Sequence, residues 1–168
     1  TVANFSSQPV ANDDFDTPAM IHSLPYATSL DVAGATSAPD DPPLPACRRN
    51  PGLRTVWYRY TPALKSNLQI DTFGSNYDTM LALWTGSRGN LRLIDCDDDS
   101  AGSLQTLLHA TLAAGTTYYI EAAQYNGGWA EMDGEAPAKP APAVSPQSAY
   151  QLALHVAIDR DLIFTDGF

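Results

Sequence analysis

The sequence predicts an all-β fold, a jelly-roll-like antiparallel β-sandwich of about eight strands. Three observations carry that reading. Short apolar segments alternate with period two and recur about every 8–12 residues, each bounded by turn residues. The chain of 168 residues holds 13 prolines and 11 glycines, which punctuate turns and break helices. No segment shows a sustained helical period that outweighs its strand pattern.

The elements follow in order. Arg54–Thr61 is aromatic and β-branched and stops at Pro62; Leu68–Phe73 alternates apolar and polar and stops at Gly74-Ser75. Thr79–Trp84 is a nearly continuous apolar run, and Leu91–Ile94 follows a turn at Gly89-Asn90. Ser103–Leu112 puts Leu104, Thr106, Leu108 and Ala110 on one parity. Leucine and alanine also suit a helix over Leu104–Ala114; the continued alternation, with Gly115 before the next strand, favours a strand. Thr116–Ala122 and Tyr150–Ile158 complete the set, the last with Tyr150, Leu152, Leu154, Val156 and Ile158 on one face. Two proline-rich stretches, Ala38–Pro51 and Ala130–Gln147, read as loops, because a sheet interior has no place for prolines that donate no ladder bond. The organisation expected is an N-terminal extension over 1–11, one sandwich domain over 12–158 with an insertion at 130–147, and a tail over 159–168.

Charge excludes whole classes of partner. Nine basic residues stand against 19 acidic ones, a formal charge of −10. Such a surface repels phosphate backbones and anionic lipid, so nucleic acid is not an expected partner. No apolar run approaches the ~20 residues of a membrane-spanning helix. Only 17% of residues are charged and only Lys65 and Lys139 are lysines, a balance common in secreted β-proteins. The chain opens at Thr1 with no charged-then-apolar leader, which we read as a mature exported protein, extracellular. His22, His109 and His155 lie in no nucleophile-elbow, zinc-protease or phosphate-loop pattern, so the expectation is a protein that is not an enzyme.

Two acidic clusters are candidate metal ligands: Asn12, Asp13, Asp14 and Asp16 near the N-terminus, and Asp97, Asp98 and Asp99 after a predicted strand. Hard carboxylate oxygens packed together suit Ca²⁺, which accepts 6–8 oxygens in irregular geometry. The competing reading, at even weight, is that these aspartates cap turns and solvate a surface. Cys47 and Cys96 are expected to form a disulfide in an oxidising compartment. Closing a loop of about 50 residues is worth roughly 4 kcal/mol in the chain-entropy model. Trp129 and Tyr125, with Trp84 and Tyr119, are candidates for a sugar-stacking platform, whereas Trp57 and Tyr58 read as core. Asn4-Phe5-Ser6 matches a glycosylation sequon.

The order of segments resembles the bacterial pre-peptidase C-terminal domain family and the related collagen-binding modules. The resemblance spans roughly Asn12 to Ile158. It rests on Val56-Trp57-Tyr58-Arg59-Tyr60, on Asp71-Thr72-Phe73-Gly74-Ser75 with Tyr77-Asp78-Thr79-Met80-Leu81 and Trp84-Thr85-Gly86, and on Ala114-Gly115-Thr116-Thr117-Tyr118-Tyr119-Ile120. It implies a secreted, non-catalytic sandwich appended to exported proteases or other enzymes. It also implies calcium held by acidic residues near the N-terminal linker, which here are Asn12, Asp13, Asp14 and Asp16. The aspartate pair those modules place before the central aromatic strand is replaced by Arg54 and Thr55, leaving Asp41 as the substitute. The proline insertion departs from the short glycine turn usual in that family.

The expected function is therefore extracellular structure and assembly, with self-association into a fibre. Leu162, Ile163, Phe164 and Phe168 form an apolar tail able to add to a neighbour's sheet edge. The alternatives are an accessory domain of an exported enzyme and a polysaccharide- or protein-binding module.

Overall fold

The structure is a computed structural model, and it describes residues 9–38, 41–42, 52–100, 102, 104–125 and 150–161. The proline insertion, the sequon and most of the tail lie outside the described residues.

Nine strands are present among them: β1 (Ala19–Ile21), β2 (Tyr26–Asp31), β3 (Leu53–Tyr60), β4 (Ser66–Asp71), β5 (Thr79–Ser87), β6 (Asn90–Asp98), β7 (Leu107–Leu112), β8 (Tyr118–Gln124) and β9 (Gln151–Ile158). They form a five-stranded sheet in the order β1-β3-β8-β5-β6 and a four-stranded sheet in the order β2-β9-β4-β7. Every pairing is antiparallel except β1 with β3, which runs parallel with Ala19 opposite Tyr58. The all-β sandwich expected from the period-two pattern is what the chain builds.

Side-chain parity explains why the sheets face each other. Alternate residues of a strand point to opposite faces. Val56, Tyr58, Leu81, Leu83, Ile120 and Ala122 of the larger sheet meet Leu68, Ile70, Leu108, Leu112, Leu152, Leu154 and Val156 of the smaller one in a single core. Leu152, Leu154 and Val156 are fully buried, so each contributes the roughly 1.5–3 kcal/mol of a removed aliphatic side chain. The segment read as strand from Ser103 begins instead at Leu107, and Leu104 is exposed.

Two strands were not anticipated. β1 has only three residues, and β2 alternates between half-buried and exposed without a continuous apolar face. A third difference concerns the acidic run after Ile94, expected as a loop. β6 continues through it to Asp98, pairing Ala82 with Cys96 and Met80 with Asp98. The strand tolerates these acids because it is the sheet edge, where charge also discourages pairing with another chain. β5 and β6 turn through Arg88-Gly89, and Gly86 before them is obligatory: its φ is +112°, and a Cβ there would sit 2.5 Å from the Asn90 carbonyl oxygen.

Candidate functional site

The eight predicted metal ligands do not converge. Asn12 is buried and ties the N-terminal segment to β3: its Nδ2 donates to the Trp57 carbonyl at 3.0 Å, while Trp57 N donates to the Asn12 carbonyl at 2.8 Å. Asp13 accepts from Thr36 N at 2.6 Å and from Thr36 Oγ1 at 2.9 Å. Asp14 and Asp16 both pair with Arg88 at the β5–β6 turn, Asp16 accepting from Nε at 3.0 Å. Asp41 accepts from Ala38 N at 2.8 Å. Asp97 accepts from Ser100 Oγ and, at 3.2 Å, from Leu107 N, linking β6 to β7. These contacts fix turns and crossings, the work that caps and Asx turns do.

Asp98 and Asp99 do come together, and Asp78 joins them. One carboxylate oxygen from each of the three lies within 4.8 Å of the others. Asp78 leads into β5, Asp98 ends β6, and Asp99 follows in a left-handed conformation with φ 68°, which aspartate tolerates better than most residues. Asp78 and Asp98 are half-buried and Asp99 is exposed. Behind them lies a knot of buried threonines. Thr72 Oγ1 and Thr79 Oγ1 are 2.6 Å apart, Thr106 Oγ1 donates to the Thr79 carbonyl at 2.7 Å, and Thr106 N donates to Thr72 Oγ1 at 2.9 Å. This network pins the β4–β5 and β6–β7 loops to one another through Thr79, the residue after Asp78. Three clustered carboxylates repel each other, and a hard divalent cation relieves that repulsion while taking up their oxygens. The Tyr77-Asp78-Thr79 stretch was read only as part of a motif; Asp78 becomes a candidate ligand because β5 pairs antiparallel with β6.

The outer face of the larger sheet carries the second feature. Phe15, Trp57, Met80, Ala82 and Trp84 form a buried cluster there, flanked by Leu91, Leu93, Cys96, Tyr119 and Tyr125. Phe15 lies edge-on to Trp57 at 5.1 Å and tilted against Tyr119 at 4.5 Å. Within this face stands Glu121, 1% exposed, opposite Trp57 on one side and Ala82 on the other. Trp84 Nε1 donates to its Oε2 at 2.8 Å, whereas its Oε1 has no hydrogen-bond partner among the described residues. Burial pushes its carboxyl up to about 8, against the Trp84 hydrogen bond, and the nearby Asp41 adds to the rise. Asp41 is itself held above the usual carboxylate range by burial, opposed by the Ala38 N–H and by the side chains of Thr55 and Trp57.

These positions remove two of the four sugar-platform candidates. Trp84 is 4% exposed and bonded to Glu121, and Tyr119 packs on Phe15, so neither offers an open stacking face. Tyr125 is half-buried beside the same cluster, with its N–H on the Asp78 carbonyl at 2.9 Å; Trp129 lies outside the described residues. Cys96 sits on the edge strand and is not a free thiol, while Cys47 lies outside the described residues. Leu162, Ile163, Phe164 and Phe168 also lie outside them.

Two histidine–aspartate pairs were missed altogether. His155 Nδ1 is 2.7 Å from Asp71 Oδ1, and His109 Nδ1 is 2.7 Å from Asp159 Oδ2. Each aspartate also accepts from a backbone N–H two residues on, Phe73 at 3.1 Å and Asp161 at 3.0 Å. These pairs staple β9 to β4 and β7 across the open face of the smaller sheet.

No family model matches the chain, and no curated protein matches it. Among solved structures it is similar to the pre-peptidase C-terminal domain of a collagenase from Bacillus anthracis. The identity is 10% and the TM-score 0.45, over 84% of this chain and 94% of that one. That likeness does not place the chain in a family.

Proposed function

We propose that the chain is a secreted, non-catalytic β-sandwich module that serves an extracellular structural role, with one Ca²⁺ held by Asp78, Asp98 and Asp99. The observation that carries the proposal is the convergence of three carboxylates on a base of buried threonines at one end of a fully packed sandwich. Calorimetric titration with Ca²⁺ is expected to give one site and a rise in Tm. The D78N/D98N/D99N variant loses both. A wild type whose Tm is indifferent to millimolar Ca²⁺ and to EDTA removes the metal from the proposal.

Self-association is the second reading, and the β2 edge supports it. β2 has no neighbour on its outer side among the described residues, and Tyr26–Leu30 holds no charge or proline to deter an added strand. The arm is the apolar tail with Leu162, Ile163, Phe164 and Phe168. Truncation belongs after Asp161, because Asp159 is engaged with His109. Fibres or oligomers of the whole chain that vanish on this truncation support the arm, and assembly that persists refutes it. For the polysaccharide alternative, Trp129→Ala must abolish retention on a polysaccharide matrix. The Cys47–Cys96 bridge is checked by mass spectrometry of a non-reduced digest.

A further inference from the structure

A sheet edge is a row of unpaired N–H and C=O groups, and proteins blunt it with charge, proline, shortness or a cover. Three of the four edges of this sandwich are blunted. β1 has only three residues. β6 carries Arg92, Asp95, Asp97 and Asp98. β7 is capped at Leu107, whose N–H goes to Asp97 Oδ2 at 3.2 Å and whose carbonyl accepts from Ser100 Oγ at 2.9 Å. β2 is the exception: it runs for six residues, and Tyr26–Leu30 holds neither charge nor proline.

The register with β9 tells which groups β2 turns outward. In an antiparallel ladder, residue pairs that exchange both backbone hydrogen bonds alternate with pairs that exchange none. Val32 N donates to the Tyr150 carbonyl at 2.9 Å, and the register steps back from that pair through Leu30–Leu152, Thr28–Leu154 and Tyr26–Val156. These even-numbered residues direct their N–H and C=O at β9, so Ala27 and Ser29 direct theirs away from the sheet. Both are exposed, and among the described residues no strand lies on that side. Tyr26 and Leu30 pack their side chains against the inner core, with Thr28 between them on the same face.

We propose that the β2 edge is a homodimer interface, in which Tyr26–Leu30 pairs antiparallel with the same segment of a second copy about a two-fold axis at Thr28. This pairing rests on the self-association reading, and it puts β2 itself, not the apolar tail, against the edge. Two independent demands select the same register. Inner-face residues must oppose inner-face residues, or the apolar faces of the two sheets end on opposite sides. Tyr26 opposite the second copy's Leu30, with Thr28 on the axis, meets that demand. The same register sets Ala27 opposite the second copy's Ser29, so every outward N–H and C=O of these two residues finds a partner in both copies. The pairing stops where it should: Asp31 falls opposite the second copy's Pro25, which has no N–H to extend the ladder, and its carboxylate accepts from Ala33 N at 2.9 Å. A contact of this kind uses the same patch on both copies and closes at a dimer, joining two four-stranded sheets into one.

The test is sedimentation of the whole chain from about 10 μM to about 1 mM, the range in which a small interface acts, and a monomer–dimer equilibrium is expected. Ala27→Pro removes an N–H that β9 does not use, so it is expected to fold with an unchanged far-ultraviolet spectrum and to stay monomeric throughout. Ser29→Lys, at an exposed position, is expected to weaken the dimer without a proline, so the outcome does not depend on Ala27→Pro folding. Thr28→Cys is expected to give a disulfide-linked dimer on oxidation, because the axis brings the two Cα atoms to about 4.5 Å in a pair without hydrogen bonds. Truncation after Asp161 leaves the dimer intact. A whole chain that stays monomeric overturns both the interface and the self-association reading. Assembly that vanishes on the truncation, or that Ala27→Pro and Ser29→Lys both leave unchanged, overturns the β2 pairing while self-association itself stands.

Discussion

The two faces of the five-stranded sheet are both buried, yet they are built differently. The inner face is aliphatic and meets a second sheet that presents Leu152, Leu154 and Val156 at matching positions. The outer face is aromatic, with Phe15, Trp57 and Trp84, and part of its cover is loop. Polar groups show the contrast best. On the inner side the buried hydroxyls of Tyr58 and Tyr77 are pushed up by burial, and each side chain stays neutral in its ordinary range. On the outer side a carboxyl whose charge matters is buried. Sheet on sheet buries only the weakly acidic tyrosine hydroxyls, whereas the partly loop-covered face holds a carboxyl.

The largest test of this contrast is a pair of truncations. Leu154→Ala removes side-chain atoms from the fully buried inner face, where two sheets limit collapse, and is expected to cost about 2–5 kcal/mol in urea unfolding. Met80→Ala on the outer face is buried to the same degree but lies beside the loop-covered cluster, and relaxation there is expected to place its cost nearer the lower end of that range. Equal costs would show that the two faces are equally rigid.

Next in size is the pH dependence of stability. Folding raises the Glu121 carboxyl from 4.5 to about 8, so between those values the folded state binds more protons than the unfolded one. Stability from this group is full below the lower value and is lost as pH rises through the upper, with a slope that reaches about 1.4 kcal/mol per pH unit for one proton. Thermal melts should therefore decline from pH 5 to pH 8. Glu121→Gln is expected to abolish that slope and to melt higher than wild type at pH 8. A variant that retains the slope assigns it to other groups.

How far the sequence reached follows from the same contrast. Inner-face positions repeat every second residue, so β4 and β9 were legible from period, with Leu152, Leu154 and Val156 on one face, while β3 was legible from aromatic and β-branched content and β5 from its apolar run. β1 and β2 were not, because three residues carry no period and Ala27, Thr28 and Ser29 carry little hydrophobic signal. Glu121, in Tyr118-Tyr119-Ile120-Glu121-Ala122, has the parity of a solvent-facing residue. On that face Phe15, from the far N-terminal part of the chain, packs on its neighbour Trp57. The aspartate triad was two-thirds legible. Asp98 and Asp99 announced themselves as a run, while Asp78 required the β5–β6 register. Asp13, Asp14 and Asp16 misled because composition cannot tell a metal ligand from a carboxylate already bonded to Thr36 or Arg88.

A third measure concerns the N-terminal segment, residues 9–17, alone. Asn12 is 5% exposed and its side chain satisfies the Trp57 carbonyl. Asn12→Ala is expected to cost about 1–3 kcal/mol, the range for leaving a buried polar group unpaired. Because the contact crosses from this segment to β3, the same substitution should raise amide exchange in residues 9–17 more than in β4 or β9. Uniform exchange would mean that the segment opens only with the whole molecule.

The smallest effect belongs to Arg88, at the tip of the β5–β6 turn. It pairs with Asp14 and Asp16 of the N-terminal segment, with all three side chains substantially exposed. Exposed ion pairs gain little, because water screens the attraction and long side chains lose freedom in forming them. Arg88→Ala is therefore expected to leave Tm almost unchanged, and any residual difference should disappear in 1 M salt, where the Debye length falls to about 3 Å. Its value lies in the contrast with Asn12, since both residues tether the same segment, one through a buried neutral hydrogen bond and the other through exposed charge. If Arg88→Ala proves the more damaging of the two, the N-terminal segment is held by exposed charge and not by the buried contact to Trp57, and its hold must then weaken with salt.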